Sequence, residues 1–512
     1  MSDKIKLSLI SCYEEVAATG LRFLSAYLKS KGHHVSLILM PDQDSPGWEE
    51  GQSHRNPYTE KAVRNLAEQC KDSDLIGFSL MTKTFLKAKN LTLRLRKYLD
   101  IPIIYGGIHA TVRPEECIKY ADIICLGEGE EALLELADNY KSGDYASIRN
   151  LWVKTPRGIQ KNPVRPLEQD LDKYPHQDFD IRKHYVQMHD EILPLNDELL
   201  EKIMPKNTDL GKPRSMYLLS TARNCPHNCT YCNNNAVREV YRNSEGPFVR
   251  KRSVDNVIDE LETVFNRYPF FQMVNIFDDT FFIRSRKEVQ RFSRLYKQKI
   301  GVPMRCSVSP HTLDEEKLKS LVDAGLYRTS VGIQTMDPDT LVNIYNRPTP
   351  KKVMDRTINI LKKYQKQIPR PVYHFIVDNY KESNKSLKTS LDFILSLPAR
   401  SQIFLYPILY FPGTRLYTQA KKDGEITDEV KQIYLKSFEI EDVQNLNFLT
   451  TLFYFAVWAK FHPLAMKLTN PFIRFLMQDR WVSMLDRKVP VRIMYLLFKA
   501  YSYTIKTIGK LA

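Results

Sequence analysis

Cys225, Cys229 and Cys232 form a C-x3-C-x2-C run, R-N-C-P-H-N-C-T-Y-C over residues 223–232, with Tyr231 directly before the last thiol. Three thiolates can hold a four-iron cluster and leave one iron without a protein ligand, which is what a cluster needs to bind and reduce a small molecule. A structural zinc site wants four protein ligands, commonly in two pairs, and only His227 or the distant Cys306 could complete such a set here. The run follows a strand-like stretch at 216–222, so it falls in a strand-end loop.

Two β-α alternations must position such a loop. In the first, β-branched runs at 5–11, 35–39, 75–80, 101–105 and 123–126 alternate with amphipathic stretches, which predicts a doubly wound parallel sheet. Ligands of such a sheet sit beyond the carboxyl ends of its strands, so the contact loops are 12–19, 79–82, 106–109 and 127–130. The second alternation has strand candidates at 216–222, 273–277, 304–308, 329–333, 372–377 and 403–406, and predicts an open partial (β/α)6 barrel with function on its strand-end rim. Asp278 and Asp279 end one of these strands; they read as site carboxylates, or as an N-cap pair for the next helix. Between them, 149–215 is Pro-rich and charged, and predicts a hairpin at 151–161 followed by linker.

These local sequences resemble two known modules. The cysteine run resembles the radical S-adenosylmethionine (SAM) superfamily, which implies a [4Fe-4S] cluster on Cys225, Cys229 and Cys232, with SAM chelated at the open iron and cleaved by one electron to a 5'-deoxyadenosyl radical. Residues 78–82, 105–116 and 126–132 together resemble the cobalamin-binding domain fused to one large class of these enzymes. That resemblance implies a pocket for the cobalamin tail lined by Ser79, Leu80, Thr82, Gly106 and Gly107, with Gly127 and Glu128 nearby. The radical SAM resemblance implies SAM contacts from Tyr231, Asp278, Asp279 and Gln334. The first loop lacks the histidine that many cobalamin domains place beneath cobalt, so the lower face is expected to be water-bound or empty; His109 reads as a strand-end residue capping the next loop. Two departures stand out: Asn224 where a glycine usually precedes the first cysteine, and 378–382 in place of a glycine-rich turn.

These readings divide the chain into a cobalamin-binding domain (1–148), hairpin and linker (149–215), a radical SAM partial barrel (216–416) and a helical basic region (417–512), the last read from its own pattern and not from the resemblance. It implies an enzyme that methylates an unactivated carbon through the adenosyl radical and methylcobalamin, or, with the same cofactors, a radical cyclase or rearrangement enzyme like the anaerobic cyclase of chlorophyll synthesis. A tRNA methylthiotransferase or a cobalamin sensor fits less well: the first needs an RNA-binding tail, the second has no use for the cysteine run. An external one-electron reductant, flavodoxin or ferredoxin, is implied as partner.

Bulk properties narrow the setting. The 512 residues are 43% hydrophobic and 26% charged, ordinary for folded domains. The amino terminus does not read as a signal peptide, and eight scattered cysteines suit a reducing cytoplasm. Of the net charge of +15, +8 falls in 450–512, where ten Lys or Arg face Asp479 and Asp486. No spacing there supports nucleic-acid binding. Apolar stretches at 452–458, 472–477 and 493–498 are too short to span a bilayer. They read as helices packed on the barrel or lying at a membrane surface, and they bias the substrate toward a lipid, polyisoprenoid or tetrapyrrole.

Overall fold

A computed structural model describes residues 4–13, 17–41, 58–399, 401–436, 447–460 and 463–488. The chain divides into two compact units: 1–279 with 295–303 and 410–435, and 280–294 with 304–409 and 436–512.

In the first unit the predicted sheet forms from β1 (Lys6–Ser11), β2 (His34–Leu39), β3 (Leu75–Ser79), β4 (Ile103–Gly106) and β5 (Ile123–Cys125), all parallel in the order β5-β4-β3-β1-β2. Its strands are apolar on both faces because helices such as Thr19–Ser30, Glu60–Cys70, Phe85–Leu95 and Glu130–Asn139 cover them. Ile10, Phe78, Tyr105, Leu66 and Leu91 share one buried cluster.

The 149–215 segment is more ordered than its composition suggests. The expected hairpin is β6 (Leu151–Thr155) with β7 (Gly158–Lys161), added to the β5 edge. A second hairpin that the linker reading missed, β8 (Tyr185–Met188) with β9 (Glu191–Pro194), turns at His189 (φ +54°) and closes the β2 edge. Both edges of the parallel sheet are thereby paired, and the outer edges pass to the short strands β7 and β9.

The same unit holds β10 (Lys206–Asn207), β11 (Arg214–Leu219), β12 (Ala222–Arg223), β13 (Arg250–Lys251) and β14 (Phe271–Ile276). The stretch predicted as one strand, 216–222, breaks in two. β11 runs parallel to β14, whereas β12 turns away and pairs antiparallel with β13. The cause is Asp278, whose Oδ1 accepts from Thr221 N (2.6 Å) and Ala222 N (3.1 Å), and whose Oδ2 accepts from the Thr221 hydroxyl.

The second unit contains β15 (Met304–Val308), β16 (Leu326–Gln334), β17 (Val372–Val377) and β18 (Gln402–Pro407), parallel in sequential order. Of the C-terminal apolar stretches, 452–458 lies in a buried core helix, Phe448–Lys460, whose Lys460 donates to Leu395 O (3.1 Å) and caps a neighbouring helix end. The stretch 472–477 spans the end of helix Pro463–Leu476 and the residue after it, and 493–498 lies outside the described residues.

Candidate functional site

The cysteine loop is set by the β12–β13 ribbon on one side and helix Asn233–Val240 on the other. Asn224 sits at φ +68° and donates through Nδ2 to Phe248 O (2.9 Å). Asparagine tolerates this left-handed backbone better than other side chains, so the departure from glycine keeps the same turn. Arg238 donates to Cys225 O (3.0 Å), Cys232 N to Cys229 O (3.1 Å), and Leu416 N to Thr230 O (3.0 Å). Asn235, fully buried, joins Asn228 (2.7 Å) to Arg415 N (3.0 Å), so the segment after Gly413 braces the loop from behind. Cys232 is the N-cap of its helix, whose N-terminal dipole favours negative charge there.

Burial pushes the Cys225 thiol up to about 12 and the Cys232 thiol up to about 11, with Asp279 and Cys229 adding to both. Such thiols need a bound cation to become thiolates. The three are close enough for their charges to interact, yet among the described residues no three His, Cys, Asp or Glu side chains converge on a point that could hold one metal ion. A cubane cluster puts each thiolate on a different iron, so three thiols suit it without a fourth protein ligand. Cys306, the other suggested zinc ligand, is a buried side chain of β15 in the second unit.

Beside this loop, within the first unit, lies a cavity of about 470 Å³. The ends of the parallel strands supply Ser79, Gly106, Gly107, Gly127 and Glu128; the cysteine ribbon supplies Arg223 and Asn224; Asp278 and Asp279 complete that side. Its base is an apolar slot against the sheet, where Leu9, Gly77 and Ile104 stand in one row across β1, β3 and β4. A Cβ on Gly77 would reach to 2.8 Å of Leu9 Cδ2, and one on Gly20 would meet nothing within 4 Å, so glycines leave room for a flat group. The slot and its glycine rim thus suit a bulky cofactor with an aromatic tail.

The strand-end loops earn their glycines sterically. Gly107 sits at φ +86°, and a Cβ there would come within 2.7 Å of both Leu80 N and Leu80 O. The Ser79 hydroxyl faces the cavity, 2.9 Å from the Tyr13 hydroxyl. Other expected contacts fall elsewhere. Leu80 is buried in the core, its backbone bonded to Gly106 O (2.9 Å) and from His109 N (3.0 Å), and Thr82 is buried 3.3 Å from His109 Nδ1. Neither lines the cavity, because the chain turns into the core after Ser79. His109 packs between Phe85 and Tyr434, with ring centroids at 4.5 and 5.6 Å, and burial then Arg113 lower it to about 3, so it acts as a neutral core residue. Tyr231 lies in the cysteine loop and does not line the cavity. Gln334 ends β16 in the second unit at φ +74°, with its side chain over Gly332.

Glu128 reaches the cavity wall but spends its carboxylate on Arg250 (2.6 and 2.9 Å) and Arg223 (3.4 Å), which hold it below its ordinary range against the opposing effect of burial. Glu130 takes the other side of Arg223 at 2.6 Å. Sequence reasoning missed this network because its partners are about a hundred residues apart; two Glu in a glycine loop and Arg beside the cysteines were the available signal. Asp278 is consumed by the 221–222 turn, which makes it neither a helix N-cap nor an open ligand, while Asp279 keeps its carboxyl at the cavity, raised by burial and hydrogen-bonded to Asn234.

Comparison with known proteins finds two domains in this chain. A B12 binding domain profile matches residues 5–137 and a Radical SAM superfamily profile matches 219–394. An uncharacterised methyltransferase of Pyrococcus horikoshii is 24% identical over 355 residues, covering 68% of this chain and 70% of that one. The anaerobic magnesium-protoporphyrin IX monomethyl ester cyclase of Rubrivivax gelatinosus is 25% identical over 354 residues, covering 66% and 55%. The radical SAM methyltransferase TsrM of Kitasatospora setae, solved with cobalamin and a [4Fe-4S] cluster, superposes with a TM-score of 0.62 at 16% identity, over 82% of this chain and 78% of that one. That likeness shows the fold: a Rossmann-like domain followed by a curled half-barrel. The chain joins a B12 binding domain to a radical SAM domain, as a radical SAM enzyme whose cofactors are a [4Fe-4S] cluster, SAM and cobalamin.

Proposed function

We infer that this enzyme transfers a methyl group to an unactivated carbon of a hydrophobic small molecule, with tetrapyrroles foremost among the substrate classes its relatives suggest. The observation that carries the reading is the single cavity walled on one side by Ser79, Gly106, Gly107 and Gly127 and on the other by Arg223, Asn224 and Asp279. Cys225, Cys229 and Cys232 would hold the cluster, which supplies reductive cleavage of SAM, and the glycine-rimmed slot would hold cobalamin, which supplies methyl transfer.

The remaining work belongs to this chain's own groups. Asp279, at the cavity and beside Asn234, is suited to accept from the amino group or a ribose hydroxyl of SAM. Phe23, Leu24 and Leu133 keep the slot apolar and exclude water, which protects a reactive radical from side reactions. Holding both reacting partners in one cavity supplies proximity, worth up to roughly 7–11 kcal/mol of the barrier in well-oriented systems.

The test is anaerobic reconstitution with iron, sulfide and hydroxocobalamin, followed by reduction with methyl-labelled SAM and a panel of tetrapyrrole and lipid substrates. Label in the organic product, together with 5'-deoxyadenosine, supports methyl transfer. Turnover of substrate with 5'-deoxyadenosine but no label in the product refutes it and favours the cyclase chemistry of the R. gelatinosus relative.

A further inference from the structure

The last two described helices of the second unit, Pro463–Leu476 and Asp479–Lys488, have two unlike faces. Ile473, Met477 and Val482 point inward and are 0%, 7% and 3% exposed. On the opposite side Phe472, Phe475 and Met484 are 51%, 41% and 38% exposed. These are large apolar groups gathered on one short helical pair, where a water-facing surface would ordinarily carry polar residues.

Basic groups surround them. Arg480 lies over the rings of Phe475 (5.6 Å) and Trp481 (5.1 Å), which themselves pack at 5.2 Å. Lys467 and Arg474 are exposed on the first helix, Arg474 in an ion pair with Asp392 at 2.9 Å. Asp479 pairs with Lys388 at 2.5 Å, so these two pairs cancel in charge, and Lys467 and Arg480 leave the face net positive. The sequence from 489 to 512 continues the composition, with Arg492, Lys499, Lys506 and Lys510 and no Asp or Glu. No helix among the described residues is long and apolar enough to cross a membrane.

We propose that this face docks on the surface of an anionic lipid bilayer, with Phe472, Phe475 and Met484 inserted at the headgroup level and Arg480 and Lys467 against the lipid phosphates. Charge complementarity selects this occupant: aromatic side chains with a basic rim match an interface that is apolar below and negative above. A protein partner with an apolar patch would not need the net positive rim. The docking is independent of the reaction assigned to the cavity.

The test is flotation of the full-length protein with vesicles of phosphatidylcholine, and of phosphatidylcholine mixed with phosphatidylglycerol. The protein is expected to float with the anionic vesicles only, and to be released when salt rises from 0.1 to 1 M, because the screening length falls from about 10 to about 3 Å. The F472S/F475S variant is expected to lose at least about tenfold in partition, since each exposed phenylalanine contributes roughly a decade or more when buried. M484S, tested separately with its melting curve, guards against a folding defect in the double variant. Failure of the wild type to float, or equal flotation of folded variants, overturns the proposal. So does a wild-type dimer that F472S/F475S converts to monomer without any vesicle binding, because the face is then a contact between two copies of the chain.

Discussion

Replacing Gly107 with alanine should loosen the rim of the cofactor cavity without unfolding the protein. At φ +86° an L-residue costs about 1–2 kcal/mol relative to glycine. The added Cβ would also lie 2.7 Å from Leu80 N and Leu80 O, both committed to backbone hydrogen bonds, to Gly106 O at 2.9 Å and from His109 N at 3.0 Å. Those atoms cannot rotate away as a side chain would, so the backbone must shift, adding about 1–3 kcal/mol as overpacking does. A total of about 3 kcal/mol corresponds to on the order of a hundredfold in the local opening equilibrium. Native-state hydrogen exchange at the Leu80 and His109 amides reads this directly, and hydroxocobalamin affinity should fall in parallel. Gly20→Ala is the control for hydrogen exchange alone, since Gly20 also lines the cavity: its Cβ meets nothing within 4 Å and lies in helix Thr19–Ser30, where it should be neutral or mildly stabilising. Equal exchange at Leu80 in the two variants would refute the argument that backbone contact, and not general packing, demands glycine at 107.

Two further outcomes are expected. Asn224→Gly should retain iron after reconstitution, since φ +68° suits glycine, whereas Asn224→Val should cost roughly 1–3 kcal/mol at the cysteine loop and lower the iron bound per chain. Glu382, raised by burial to about 7 while Ser386 and Thr335 partly offset it, binds its proton more tightly in the folded state. Stability should therefore fall as pH rises from about 4.5 to about 7, by about 3 kcal/mol at most, and stay level above. Melting curves across this range should show the slope in the wild type and lose it in Glu382→Gln.

The parallel strands of both alternating segments could be placed from sequence because each is a short apolar run between turn residues, and the sheet buries both faces. The cysteine spacing was equally legible, since the chemistry is carried by local sequence. What could not be read depends on distant partners. The break of 216–222 into β11 and β12 follows from one carboxylate, Asp278, more than fifty residues away. The turn after β17 keeps no glycine because Asp378 takes φ +68° itself and forms a buried ion pair with Lys436 at 2.9 Å. Leu80 and Thr82 were expected at the cavity because they follow Ser79 in the chain; the fold turns inward there, and side-chain direction is not a property of spacing.

The pairing of Glu128 and Glu130 with Arg223 and Arg250 ties the cavity wall to the cysteine loop within one unit. Two carboxylates and two guanidiniums leave the network neutral, and Glu130 and Arg250 are almost fully buried. Such a network recovers little net stability, because desolvating four charges offsets most of their attraction. Its worth lies in geometry: removing any one member leaves a charge unpaired in a low dielectric, so the arrangement tolerates few alternatives. Arg223 is two residues before Cys225, and Glu128 follows Gly127 on the cavity rim. The spacing between the glycine rim and the first cysteine is therefore fixed by directional ion pairs and not by the long chain segment between them. A reaction that needs two groups held at a set separation requires that kind of constraint.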